Sequence, residues 1–204
     1  MQIFKELATW CLVALVVLYP STTNSESPIP VPSRETLKRA FKLSPGSIES
    51  DSKEAVFAPQ DLKTGKFHSC PGAQRYKIKG DTEVMISVGR CHESAFDQNS
   101  LRDYSNKIEL DLSKRMTDPA AFKIPVPFTS FVTKSGRMAD IGTLPVVGHG
   151  LFFAPTVVLH SLKGPDHLVL QLIIDDGATK YPVSYFTSQM LKDAAETLDH
   201  DYQM

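Results

Sequence analysis

The stretch that decides the fold runs from Leu151 to Ile174, LFFAPTVVLHSLKGPDHLVLQLII. Two apolar runs rich in β-branched and aromatic residues flank Gly164-Pro165, a dipeptide that makes a turn. Upstream, "AFKIPVPFTSFVTKSG" and "DIGTLPVVGHG" repeat the pattern, and "YPVSYFTS" follows downstream. Short apolar runs punctuated by Pro and Gly predict a meandering antiparallel sheet. In the tail, Met190, Ala194 and Leu198 stand four apart behind a Thr/Ser start, which predicts a final amphipathic helix.

N-terminal to this region the pattern admits two readings. After Gly80-Asp81, Val84, Met85, Val88 and Cys91 fall on one face of a helix, whereas Val84, Ile86 and Val88 also alternate as a strand would. The alternation in "NKIELDLS" predicts a strand over Lys107–Leu112. Residues 26–66 are rich in Pro, Ser and charge with few apolar side chains, so they read as a flexible leader before a globular domain over 67–190 and a C-terminal helix or tail over 191–204. Within that leader Ser33 is placed to cap a short basic helix carrying Leu37 and Phe41, and Lys38-Arg39 has the form of a processing site.

The first 25 residues put Lys5 ahead of an apolar run from Trp10 to Tyr19, then Pro20 and small polar residues. That is the pattern of a signal peptide, and the run is shorter than the roughly 20 residues a span requires. The chain is therefore expected to be secreted. Cys11 leaves with the signal, and Cys70 and Cys91 remain in an oxidising pathway, so they are expected to pair. The length of 204 residues at 42% hydrophobic suits one ordinary domain with extensions. The net charge of -1 excludes the bulk electrostatics of a strongly basic nucleic-acid binder.

Candidate chemistry is sparse. Asp166 and His167 read as the start of a strand, with a surface histidine and an aspartate satisfying turn amides; a dyad is disfavoured because neighbours in a strand face opposite ways. Arg75, Lys77 and Lys79 would share one face of a strand, and together with a protonated His167 they form the candidate surface for an anion or RNA. His149, His160 and His167 lack the spacing of a metal site, no cofactor motif appears, and the chain has no Gly-x-Ser-x-Gly elbow.

A signal peptide, an early aromatic-then-cysteine segment (Phe67 to Cys70), a helix, and a strand series containing "FFAPTVV" and "KGPDHLVL" together resemble the small guanyl-preferring fungal ribonucleases. The order resembles more closely the ribonuclease-like secreted effectors of powdery mildew fungi. The resemblance covers about residues 67–190. It implies an α+β fold, one helix packed on a curved antiparallel sheet, here with an additional C-terminal helix. The family's metal-free RNA cleavage uses Glu, Arg and His as base, phosphate clamp and acid. At the matching positions this sequence has Phe153, His167 and Phe186. The resemblance therefore implies a pseudoenzyme: a secreted virulence effector that binds a host protein and, weakly, RNA, and that is carried into host cells. The alternatives are an active secreted ribonuclease or other hydrolase with differently placed catalytic residues, and an unrelated extracellular β-rich binding protein.

Overall fold

The computed structural model describes residues 31–43, 47–61, 63–92, 94–114, 123–147, 151–162, 165–174, 179 and 181–201. The proposed signal segment, His149 and Gly164 lie outside the described residues. Along the chain come α1 (Arg34–Ala40), β1 (Ile48–Asp51), β2 (Phe57–Gln60), β3 (Phe67–His68), β4 (Gln74–Ile78), β5 (Asp81–Cys91), α2 (Gln98–Ser113), β6 (Thr129–Val132), β7 (Met138–Val147), β8 (Leu151–His160), β9 (His167–Ile174) and α3 (Ser188–Asp201). Seven strands make one antiparallel sheet in the order β1-β4-β5-β9-β8-β7-β6, and β2 pairs with β3 in a small second sheet.

The sheet has a core on each face. Alternate residues of β5, β9, β8 and β7, among them Ile86, Leu170, Val157 and Ile141, join Leu37 and Ala40 of α1, Phe41 just after it, and Met190, Leu191, Ala194 and Leu198 of α3. The opposite set, including Val169, Ile173, Val158 and Leu144, packs under Leu101, Tyr104 and Ile108 of α2 and under Phe57 and Ala58 of β2. Every residue of β9 is buried, which is why that strand reads as a continuous apolar run and not as an alternation. The expected α+β class and the antiparallel strands over 129–174 are present, and α3 is the expected final helix, its first turn bonded by the Thr187 hydroxyl accepting from the Met190 amide at 3.2 Å.

Several local expectations are overturned. Residues 81–91 form a strand, because Val84, Ile86 and Val88 alternate into one core while β4 and β9 supply hydrogen-bonding partners on both sides. The presumed helix start at Gly80-Asp81 is a tight turn, with Gly80 at φ +74° and Ile78 opposite Asp81. The predicted strand over 107–112 lies inside α2, whose buried stripe Leu101, Tyr104, Ser105, Ile108 has helical spacing and begins upstream of the alternating window; Leu110, one of the alternating residues, is 54% exposed. "YPVSYFTS" contains a short 3-10 turn at Val183–Tyr185 and no strand.

The division at Phe67 is also corrected. Residues 34–60 supply α1, β1 and β2, and Leu37 and Phe41 are fully buried. Ser33 caps α1 as expected, its hydroxyl accepting from the Thr36 amide at 3.1 Å. Too few apolar residues to fold alone are enough here because α3 gives α1 a partner: the Thr36 hydroxyl donates to Asp201 at 2.6 Å, and Arg39 pairs with the same carboxylate. The Lys38-Arg39 dipeptide thus sits in a helix of the core.

Candidate functional site

The hairpin of β8 and β9 brings His160 directly opposite His167. Both rings lie on the α2 face of the sheet, since their parity is that of Val158 and Val169. On β7, Asp140 is opposite Val158 and so stands diagonally beside His160 on the same face. The residues make a continuous row. Asp140 Oδ2 lies 2.5 Å from His160 Nε2, His160 Nδ1 lies 2.8 Å from His167 Nδ1, and His167 Nε2 lies 3.3 Å from Asp97 Oδ1. The two rings cross edge-on at 89° with centroids 4.8 Å apart.

Around this row the fold supplies more polar support. The Ser130 hydroxyl on β6 donates to the other oxygen of Asp140, which is 1% exposed. Asp97 is the residue preceding α2, and its side chain makes no capping bond there, leaving it free to face His167. Beneath His160, Arg137 donates to its carbonyl at 3.1 Å and to Asp199 of α3 at 2.7 Å. Burial, then the charge of His160, holds the His167 imidazole below its ordinary pKa, with Asp97 and Asp140 pulling the other way.

Asp166 and His167 are buried, not a surface histidine and a turn aspartate, and they do not act on each other. Asp166 turns toward β5 and pairs with Arg90 and His92, while His167 turns toward His160 and Asp97. This is the opposition of faces expected of neighbours in a strand.

The proposed anion surface does not gather. Arg75 and Lys77 share a face of β4 as expected, but β1 sets Asp51 3.0 Å from Arg75 and Glu49 3.7 Å from Lys77 and 4.0 Å from Lys79. The cations are largely matched by carboxylates. His167 lies two strands away from Arg75, which is opposite Ser87 and, beyond it, Gln171, four residues along β9 from His167. At about 3.3 Å per residue that is roughly 13 Å along the strand alone.

Nor do Phe153, His167 and Phe186 converge. Phe153 has the parity of Val157 and Leu159, which face α1 and α3, whereas His167 faces α2. Phe186 is buried against Phe41, ring centroids 5.8 Å apart and nearly perpendicular.

Cys70 and Cys91 form the expected disulfide, joining the turn before β4 to the end of β5 beside His167. Among the described residues no cluster of His, Cys, Asp or Glu has the arrangement of a metal site, and no helix is long and apolar enough to cross a membrane.

Sequence reasoning missed Asp97, Asp140, Arg90 and His92, and considered His160 only among histidines that lack the spacing of a metal site. One signal was available: in an antiparallel hairpin of the two apolar runs, His160 and His167 flank the connection and must face each other. The position of Asp140 depends on the register of β7, and that of Asp97 on where α2 begins. No protein-family model, curated protein or solved structure matches the chain.

Proposed function

We propose that this protein is a secreted, non-catalytic binding protein on a ribonuclease-like α+β scaffold, an effector that engages a host protein after entry into the host cell and contacts RNA only weakly. One observation carries the reading. At the three positions where the resemblance puts base, clamp and acid, the chain has two phenylalanines, one packed in the core, and a histidine engaged through both ring nitrogens. A phenyl ring transfers no proton, and each such role contributes about 10²- to 10⁴-fold to rate. The pairing of Arg75, Lys77 and Lys79 with β1 carboxylates favours a protein over RNA as the main partner.

The test is turnover of labelled single-stranded RNA by purified protein, beside a salt titration of RNA binding. The expected result is cleavage at background, with weak binding that falls as salt rises. Robust cleavage that survives repurification and is lost in His160→Gln would overturn the reading and make the Asp140, His160, His167 row the centre of an enzyme.

A further inference from the structure

The row Asp140, His160, His167, Asp97 imposes a proton count. It contains three contacts at hydrogen-bonding or ion-pair distance, 2.5, 2.8 and 3.3 Å, and they engage all four ring nitrogens. With both carboxylates ionised they only accept, so the row is fully bonded when both Nε2 atoms carry hydrogen and one further hydrogen lies between the two Nδ1 atoms. Three protons are needed. Two neutral imidazoles hold only two, and a lone pair would then face either a carboxylate or another lone pair. Two imidazolium rings hold four, and two N–H groups would then point at each other across 2.8 Å.

We propose that His160 and His167 share one extra proton as a lock on the β8–β9 hairpin, and that uptake of a second proton breaks their contact and opens this end of the sheet. In the locked form His160 donates from Nε2 to Asp140 and from Nδ1 to His167, and His167 donates from Nε2 to Asp97. Arrival of a proton at His167 Nδ1 removes the only acceptor on that side. The charged ring keeps its bond to Asp97, a half-exposed carboxylate, and leaves the more deeply placed Asp140–His160 pair.

The surroundings oppose the second proton and so place the opening in acid. From β7 and α2, Asp140 and Asp97 favour charge on the rings, but the 2.8 Å neighbour is itself a cation in the locked state. On β5, Arg90 and the adjoining His92 sit on Asp166, the residue before His167, and Arg137 lies on the His160 carbonyl with its charge matched by Asp199 of α3. His68 of β3 packs on Phe96, next to Asp97. The buried His167 is held below 6.5, the value its ring has when exposed, by desolvation first and by His160 second. An unfolded or locally opened chain therefore takes up this proton at higher pH than the locked one, and acidification from about 6.5 downward favours opening.

Long-range proton–nitrogen NMR on the full chain reads each ring nitrogen, with backbone amide exchange followed in the same samples. The expected result in the locked form is three ring protons over the pair, with hydrogen on both Nε2 atoms and one shared between the two Nδ1 atoms. Below pH 6.5, protonation of His167 Nδ1 should coincide with about tenfold or greater acceleration of exchange near residues 159–161 and 166–168, while the β4–β5 hairpin stays protected. Asp97→Asn keeps an acceptor but removes a favourable charge, so it should move the His167 step to lower pH. His160→Gln removes the repelling cation and should move it higher. Two neutral imidazoles at pH 7.5, or titration of His167 with no change in exchange at the hairpin end, would overturn the proposal. The wild-type spectra decide it even if either variant fails to fold.

Discussion

At the scale of single residues, the most informative side chains are polar ones whose partners are far away in sequence. Gln171, fully buried on β9, accepts from the Ala58 amide at 2.6 Å and donates to the Ala58 carbonyl at 2.9 Å and to the Thr156 hydroxyl at 3.0 Å. It completes the backbone of β2 where no neighbouring strand reaches. Replacing Gln171 with Leu keeps the volume but orphans two buried backbone groups, at about 1–3 kcal/mol each. Urea unfolding should show that loss with an unchanged m-value. Gly142 poses a steric problem of the opposite kind. A Cβ there would stand 2.6 Å from the Phe128 ring and 2.8 Å from its Cα, so neither rotamer change nor a small shift relieves it. Gly142→Ala should destabilise by about 1–3 kcal/mol, read as a lowered thermal midpoint. Neither role is visible in the string "DIGTLPVV" or "HLVLQLII"; both depend on what the other core layer places opposite.

At the scale of elements, α1 departs most from expectation. Its composition is that of a solvated leader, yet Leu37 and Phe41 are fully buried against α3, and Phe41 meets Phe186 edge to face. Leu37→Ala should therefore cost about 2–5 kcal/mol, a core-sized effect that no leader residue would show. Limited proteolysis of the native protein should leave bonds between 34 and 43 intact until global unfolding. Trimming there with the thermal midpoint unchanged would contradict the packing. For α2 the reverse lesson holds. Its stripe is legible at helical spacing from Leu101 to Ile108, but a shorter window beginning at Lys107 shows only alternation, because Ile108, Leu110 and Leu112 repeat by two while only Ile108 among them is buried.

For the whole molecule, stability in acid should fall in two separate windows. His167 contributes above its unfolded value of about 6.5, and its contribution is lost as pH falls toward its lower folded value. Asp199 is the second group. Burial alone would raise its carboxyl, but bonds from Ser135, Thr133 and Arg137 outweigh that and hold it below 3.8. The unfolded chain then takes up the proton first, so this contribution is present above about 3.8 and disappears as pH falls further. Asp199→Asn should shrink the lower window without abolishing it, because Asp201, bonded by Thr36 and Arg39, is also held below 3.8 and keeps its own contribution. At neutral pH the substitution should cost toward the lower end of the roughly 3–5 kcal/mol of a broken buried pair, because Arg137 retains some access to water. Urea midpoints from pH 3 to 8 measure both. The antiparallel run from Thr129 to Ile174, the Cys70–Cys91 bridge, the capped start of α1 and the closing helix were legible residue by residue, because turn residues, cysteine count, caps and helical spacing act over a few positions. Long-range packing made 81–91 a strand, brought α1 into the core and set Asp97, ahead of α2, in one row with side chains of β7, β8 and β9. Val84 becomes a strand residue by pairing with Ile174, and α1 becomes stable by burying against α3. The free energy that selects those states comes from partners some 90 and 150 residues away, and a local pattern carries no record of them.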